Sequence, residues 1–359
     1  MRVLHLVNEV VDTGNGIVNV TVDLAIELAL RGDHVVVASA GGGHTGLLAE
    51  HGVRHKTIDF RRRPWSAVRA LTRLIREVRP EIVHAHTVAP CVLAAAVRRI
   101  PGAPTFHLVA SMHNVYQRSA ALMGSADMTI GVAESVSETV RSLRWHSPRV
   151  ETVVNGVVGS PRRKAGSADA DLDLGPRSIV TVGAVSHRKG ADVLFDAFRA
   201  LAPTRPDVHL WYVGNVDWEE LAERIRNSDL ADRVHLTGLS PAPGRHLAAA
   251  TVVAVASRRE GLALSLLEAR EEGAAIVATD TDGAREGLDE GRAGVLVPVD
   301  DAAELADALA AVLDDPAHRD ALRERSAADL DRFSVRRMAG DYRGWYDDLI
   351  GTSPGGRRS

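Results

Sequence analysis

The sequence predicts an α/β protein of two doubly wound, parallel-sheet domains. Three observations carry that prediction: short apolar runs that do not alternate, amphipathic stretches between them, and one break in the rhythm near the middle. In the first part the runs cover residues 3–7, 34–38, 81–84, 106–110, 128–132 and 152–154. Each is rich in β-branched side chains and bounded by turn residues, the pattern of a parallel strand buried on both faces. Between runs the period lengthens to that of a helix; over 18–30, Val18, Val22, Ala25, Leu28 and Ala29 share one side. Strand and helix in alternation require a parallel sheet with right-handed crossovers. Residues 158–177, VGSPRRKAGSADADLDLGPR, interrupt this with Gly, Pro, Ser and charge, the composition of a linker. The rhythm restarts at 179–182, 209–213, 234–237, 252–256, 276–279 and 295–297.

The expected organisation is therefore a Rossmann-like domain at 1–157, the linker at 158–177 and a second Rossmann-like domain at 178–334. A helix at 335–350 follows, with Met338, Tyr342, Trp345, Tyr346 and Leu349 spaced for burial, and is expected to pack back on the first domain. The tail at 351–359, GTSPGGRRS, is expected to be disordered. Ligands of such sheets bind outside the carboxyl ends of the strands, here in a cleft between the halves.

Composition narrows the function. A chain of 359 residues with 45% hydrophobic and 25% charged residues suits two soluble domains. A net charge of -4 offers no general attraction to nucleic acid. Cys91 is the single cysteine, which excludes an intramolecular disulfide and a cysteine metal cluster. No apolar run approaches the roughly 20 residues of a membrane span, and MRVLHLVNEVV lacks the features of a signal peptide. A cytoplasmic location is the expectation.

Chemistry is concentrated in loops after predicted strands. In SRREGLALSLLE, Glu260 follows a strand, Gly261 lets backbone approach a ligand, and a helix beginning near Leu264 aims free N–H groups at an anion. Glu260 and Glu268 would then accept hydrogen bonds from sugar hydroxyls on either side of a phosphate, an arrangement that fits a sugar nucleotide. Read alone, the favoured account is a solvated glutamate and an ordinary helix glutamate, since glutamate is common in helices. No D-x-D loop or His/Asp cluster argues for a metal. The stretch FRRRPWSAVRALTRLIREVR places Val68, Leu71, Leu74, Ile75 and Val78 on one side of a helix and Arg69, Arg73 and Arg76 elsewhere, with Arg61, Arg62 and Arg63 ahead of it. This suits a sheet-covering helix with a solvated basic face; contact with an anionic membrane or acceptor is the less favoured reading.

From Glu260 onward the chain resembles glycosyltransferase family four, retaining nucleotide-sugar transferases of the two-Rossmann GT-B fold. The match runs through Glu260-Gly261, Glu268-Ala269, Gly273, Val277-Ala278-Thr279-Asp280, Gly283, Glu286 and Gly294-Val295-Leu296-Val297-Pro298 in order and spacing. VGAVSHRKGADVLFDAF resembles the motif that opens the family's second domain, EIVHAHT its D-I-V-H-x-H strand, SMHN its T-x-H loop, and VVNGV, with Asn155-Gly156, its hinge-side motif. The resemblance implies catalytic roles for His113, Lys189 and Glu260. It implies donor binding by Asn15, Gly16, Gly183, Arg188, Lys189, Gly261, Leu262, Ala263, Ser265, Leu266 and Glu268. Lys189 and Arg188 would meet the diphosphate, Glu260 the donor sugar and Glu268 the ribose. Transfer would retain anomeric configuration without a metal or other cofactor, from a nucleoside-diphosphate sugar to a small-molecule, sugar or lipid-linked acceptor. Three positions depart from the pattern: Ala184 replaces an arginine, Leu262 and Ala263 an aromatic and a glycine, and Val18-Asn19 a Glu-Arg pair. A sugar-nucleotide epimerase on the same fold, or a silent nucleotide-sugar-binding protein, are the alternatives.

Overall fold

The apolar runs become strands because a parallel sheet covered on both faces leaves them no solvent to meet. The computed structural model describes residues 1–12, 14–62, 64–113, 118–163 and 172–351; Arg63, Asn114, linker residues 164–171 and the tail from 352 lie outside the described residues. The chain divides into two units, Met1–Arg162 with the returning chain from Phe333, and Arg163–Arg332.

The first unit carries β1 (Arg2–Leu6), β2 (His34–Ser39), β3 (Arg54–Thr57), β4 (Ile82–Ala85), β5 (His107–Met112), β6 (Met128–Gly131) and β7 (Arg149–Thr152). All pairings are parallel, in the order β3-β2-β1-β4-β5-β6-β7. Leu4, Val36, Ile82, Leu108 and Ile130 are fully buried, each contributing about 1.5–3 kcal/mol by leaving water. The apolar-run search misses β3, whose residues Arg-His-Lys-Thr are mostly exposed. An edge strand pairs on one side only and needs no apolar run. The run expected at 152–154 forms its strand earlier, as β7, because the ladder with β6 begins at Arg149.

Helix Gly16–Leu30 is buried nearly all round rather than on one side, and it encloses Asp23 at 1% exposure. That carboxylate accepts from Arg162 Nε and Nη2 at 2.9 and 2.8 Å and from Ser160 Oγ at 2.8 Å. Val158 bridges to Ser334. These contacts hold residues 158–162, expected as linker, in the first unit. The C-terminal helix Val335–Gly351 packs on this unit through Met338, Ala339, Tyr342, Tyr346 and Leu349. Trp345 is not among its buried residues; its ring lies half-exposed under the Arg149 guanidinium, 5.6 Å away. In the basic helix Pro64–Val78, Leu71, Leu74, Ile75 and Val78 are buried, while Arg69, Arg73 and Arg76 face solvent. No described helix is long and apolar enough to cross a membrane.

The second unit carries β8 (Arg177–Val182), β9 (Val208–Val213), β10 (Val234–Gly238), β11 (Val252–Val255), β12 (Ile276–Thr279) and β13 (Val295–Val297), parallel in the order β10-β9-β8-β11-β12-β13. Phe195, Phe198, Leu210, Tyr212, Leu305 and Leu309 anchor its core. Arg270 is fully buried and donates to the carbonyls of Gly287, Ser326 and Ala328 at 2.7 to 2.9 Å. Those partners let a guanidinium replace an apolar side chain there.

Candidate functional site

In an open parallel sheet the strand order reverses at one point, and the loops leaving the two central strands diverge to form a crevice. The reversal lies between β1 and β4 in the first unit and between β8 and β11 in the second. Most of the residues singled out above leave these strands, whereas His113 follows β5.

After β8, Gly183 has φ +140°, a conformation side chains rarely adopt, and a Cβ there would lie 3.3 Å from Lys189 Cε. The lysine stem therefore lies across a glycine. The chain makes one tight turn, His187–Lys189, and Gly190 at φ +63° caps the helix Ala191–Leu201. A Cβ on Gly190 would collide with the carbonyl oxygen of Ala256 in the loop after β11. That contact brings the two loops together. Lys189 Nζ pairs with Glu260 Oε1, and Arg188 Nη1 reaches the same oxygen at 2.6 Å. Ser257 Oγ donates to it from 3.4 Å. The Glu260 side chain is 13% exposed, that of Lys189 19% and that of Arg188 49%. Burial pushes the Glu260 carboxyl up, but Lys189 and then Arg188 outweigh it and hold the group below the ordinary carboxylate range. The resemblance assigned the two cations to the diphosphate and Glu260 to the sugar; the fold makes them one ion triad. It carries net positive charge, with Arg188 half in solvent.

Beyond Glu260, helix Leu264–Glu271 starts at Ala263, which has no side chain to cap it. Its first N–H groups follow Glu260 by a few residues in the chain, and Ser265 stands half-buried in that turn. Gly261, Leu262 and Ala263 are buried. Leu266, expected among the donor-binding residues, is fully buried and its N–H donates to the Ala263 carbonyl at 3.2 Å, so both groups are committed inside the unit. Glu268, at 8% exposure, lies deeper on the same helix. Ala184 follows Gly183 with no charge to contribute, which leaves Arg188 as the cation nearest Lys189 in the chain.

In the first unit, Asn15 Oδ1 accepts from the Ile17 N–H at 3.0 Å, capping the helix that begins at Gly16. One amide of that turn is therefore satisfied within the chain. His113 ends the segment leaving β5, 5.7 Å from the His86 ring between centroids. Burial lowers its imidazole to about 4, so the ring is neutral near neutral pH.

A cluster emerges here that the sequence reading passed over. His84 lies on β4 and His86 just beyond its end, where its N–H still donates to the Leu6 carbonyl at 2.9 Å, and the β1–β4 register sets His5 against His84. His5 Nδ1 and His86 Nε2 lie 3.0 Å apart. His84 Nε2 bonds to Ser111 Oγ at 2.7 Å and its Nδ1 to Tyr346 Oη at 2.6 Å. The H-x-H spacing in a predicted strand was the available signal. Ring nitrogens of His5, His84 and His86 are close enough to share an ion. A ligating imidazole normally donates its second N–H to a partner, yet His5 Nε2 and His86 Nδ1 have none among the described residues. With a metal on the inner nitrogens both outer N–H groups would be buried unpaired. A shared proton leaves only one, so the trio is read as packing.

Two parallel sheets, each with candidate residues on loops at the reversal of strand order, define a two-domain α/β protein. Its backbone matches that of HepE from Anabaena, solved with UDP and glucose, at a TM-score of 0.82 and 20% identity, covering 97% of this chain and 100% of that one. The fold is GT-B. The chain belongs to the group 1, family 4 glycosyltransferases: Glycosyltransferase Family 4 matches residues 14–158, and Glycosyl transferases group 1 matches residues 176–315. Among relatives, a lipopolysaccharide core biosynthesis mannosyltransferase, LpsB, from Rhizobium meliloti is 31% identical over 191 residues, 50% of this chain and 54% of its own. A phosphatidyl-myo-inositol mannosyltransferase from Mycobacterium tuberculosis is 38% identical over 170 residues, 44% of this chain and 43% of its own. The chain thus spans about half the length of these curated relatives.

Proposed function

We propose that the protein transfers a sugar from a nucleoside-diphosphate sugar to a hydroxyl acceptor, with retention at the anomeric carbon and without a metal. The observation that carries this reading is the Lys189–Glu260–Arg188 triad, followed a few residues after Glu260 by the uncapped N-terminus of helix Leu264–Glu271. Two cations and a set of backbone donors at one sheet reversal suit a diphosphate. Glu260, ordered by the cations, takes the donor sugar hydroxyls, and Glu268 the ribose. By resemblance, His113 serves the donor sugar, and Asn15 and Gly16 the diphosphate; a neutral His113 would act as a hydrogen-bond partner and not as a cation. Asn15 does so only through amides its own side chain leaves free.

No paired carboxylates at glycosidase spacing enter this reading. The departing diphosphate deprotonates the acceptor hydroxyl as that oxygen attacks on the leaving-group face. The protein contributes positioning and charge stabilisation of the leaving group. Relatives named for phosphatidyl-myo-inositol and for lipopolysaccharide core favour a polyol or a lipid-linked glycan as acceptor.

The test is a panel of UDP- and GDP-sugars. The matching nucleotide at about 100 times its Kd should stabilise the fold by about 2.7 kcal/mol. Turnover with inositol-type and glycan acceptors should survive chelator, and the product anomer should match the donor. No shift in melting temperature with any donor at millimolar concentration would count decisively against the proposal.

A further inference from the structure

Arg258 is a densely bonded cation near the triad, and its contacts run to the opposite loop, to the helix behind it and to Asp300 in the loop after β13. Nη1 and Nη2 grip the Asp192 carboxylate at 2.7 and 2.8 Å, in the first turn of helix Ala191–Leu201. Nη1 also donates to the His187 carbonyl at 2.6 Å, and Nε to Asp300 Oδ1 at 2.5 Å. Its backbone N–H donates to the carbonyl of Arg188 at 2.9 Å. The side chain is 16% exposed and that of Asp192 20%. Four N–H bonds of the guanidinium are thus spent inside the protein, which leaves little for a ligand.

The carbonyls that Arg258 holds belong to His187 and Arg188, within the turn that presents Arg188 and Lys189. A one-turn 3-10 segment ending in a left-handed glycine has little hydrogen bonding of its own to define its position. Glu260 cannot define it alone, because a diphosphate would draw the two cations away from that carboxylate. With Ala184 contributing no charge, the second cation must come from Arg188, a long side chain on this turn.

We propose that Arg258 is a positioning residue, clamping the His187–Lys189 turn to helix Ala191–Leu201 so that Arg188 and Lys189 stay presented when a diphosphate replaces Glu260 as their partner. This rests on the reading of the triad as the diphosphate site. A bidentate arginine fixes direction as well as distance, which a lysine at 258 would not.

The experiment measures binding of UDP, GDP and the corresponding nucleosides to wild type, Arg258→Gln, Arg258→Lys and Asp192→Asn, with melting temperature recorded for each. Arg258→Gln should weaken the preferred diphosphate about tenfold while leaving the nucleoside unchanged, because only the phosphate cations lose their mounting. Arg258→Lys should recover part of that loss, and the Arg258→Gln/Asp192→Asn double variant should bind no worse than the single ones, since both remove the same clamp. In steady state the donor KM should rise more than kcat falls. A folded Arg258→Gln protein with wild-type diphosphate affinity overturns the inference. So does equal weakening of nucleoside and diphosphate, which would mean general loosening of the unit. If Arg258→Gln does not fold, Asp192→Asn decides by the same two comparisons. Wild type that binds no diphosphate, or Lys189→Ala that binds it normally, would instead overturn the underlying site assignment.

Discussion

Acidification from about pH 7 to about pH 5 is expected to remove roughly 5 kcal/mol or more of stability from the first unit. Burial lowers His5 from 6.5 to about 3 and His113 to about 4. His84 and His86 are driven well below 6.5, first by burial and then by one another and the neighbouring imidazoles. Among the described residues the groups facing them are each other, Ser111, Tyr342 and Tyr346, and none of the four bonds to a carboxylate there. Because the folded values are depressed, the unfolded chain binds more protons as pH falls below 6.5. Stability is complete above 6.5 and declines from there toward the folded values of about 3 and about 4. Each histidine costs about 1.4 kcal/mol per pH unit in that window. Four together would bring a domain of ordinary stability, 5–15 kcal/mol, close to unfolding by about pH 5. His44 and His55, shifted the same way by burial, add to the slope.

Protonation has a definite structural address. His84 bonds to two hydroxyls, one of them Tyr346 on the C-terminal helix. A neutral ring accepts at one nitrogen, whereas a charged ring donates at both, so the hydroxyl that donated to it must turn its proton to another acceptor. Hydrogen exchange in helix Val335–Gly351 should rise with the onset of the transition. Melting temperatures across pH 5 to 7 would check this, with His86→Leu expected to flatten the profile by about one proton. A profile independent of pH would sink the argument.

Lys189→Ala should weaken diphosphate binding about ten- to a hundredfold, the loss of a charge-assisted contact of about 1.5–3 kcal/mol. Glu260→Gln should behave oppositely toward the bare diphosphate. Its carboxylate competes with phosphate for Lys189 and Arg188, so removing its charge should leave that affinity unchanged or raise it a few-fold. Transfer of the sugar should nevertheless fall, because the group that meets the sugar hydroxyls is altered. Glu268→Gln should weaken donor and bare diphosphate alike. Dissociation constants and turnover for the three variants separate these roles. Should Glu260→Gln weaken the diphosphate as much as Glu268→Gln does, the two carboxylates do not divide the work in this way.

Much of this was legible in the residues alone. Unalternating apolar runs can be satisfied only by strands covered on both faces, so eleven of the twelve expected runs coincide with strands to within a residue or two, and the class of fold follows. Glu260 could be singled out because a carboxylate after a strand is a local pattern, while Lys189 was singled out only through the family resemblance. The polar edge strand β3 was invisible for the converse reason, since a strand paired on one side carries no hydrophobic demand.

Tertiary structure decided what depends on distance between segments far apart in the chain. Sequence spacing says nothing about Glu260 standing 72 residues from Arg188, yet their charges meet at 2.6 Å. The burial of Leu266, the enclosure of Arg270 by three carbonyls and the hold of Arg258 on the opposite loop arise in the same way. So does the neutral histidine cluster, because register alone sets His5 beside His84. Hydrophobic pattern is a property of neighbours along the chain. Charge pairing, desolvation and cap satisfaction are properties of neighbours in space, and only the folded chain supplies those.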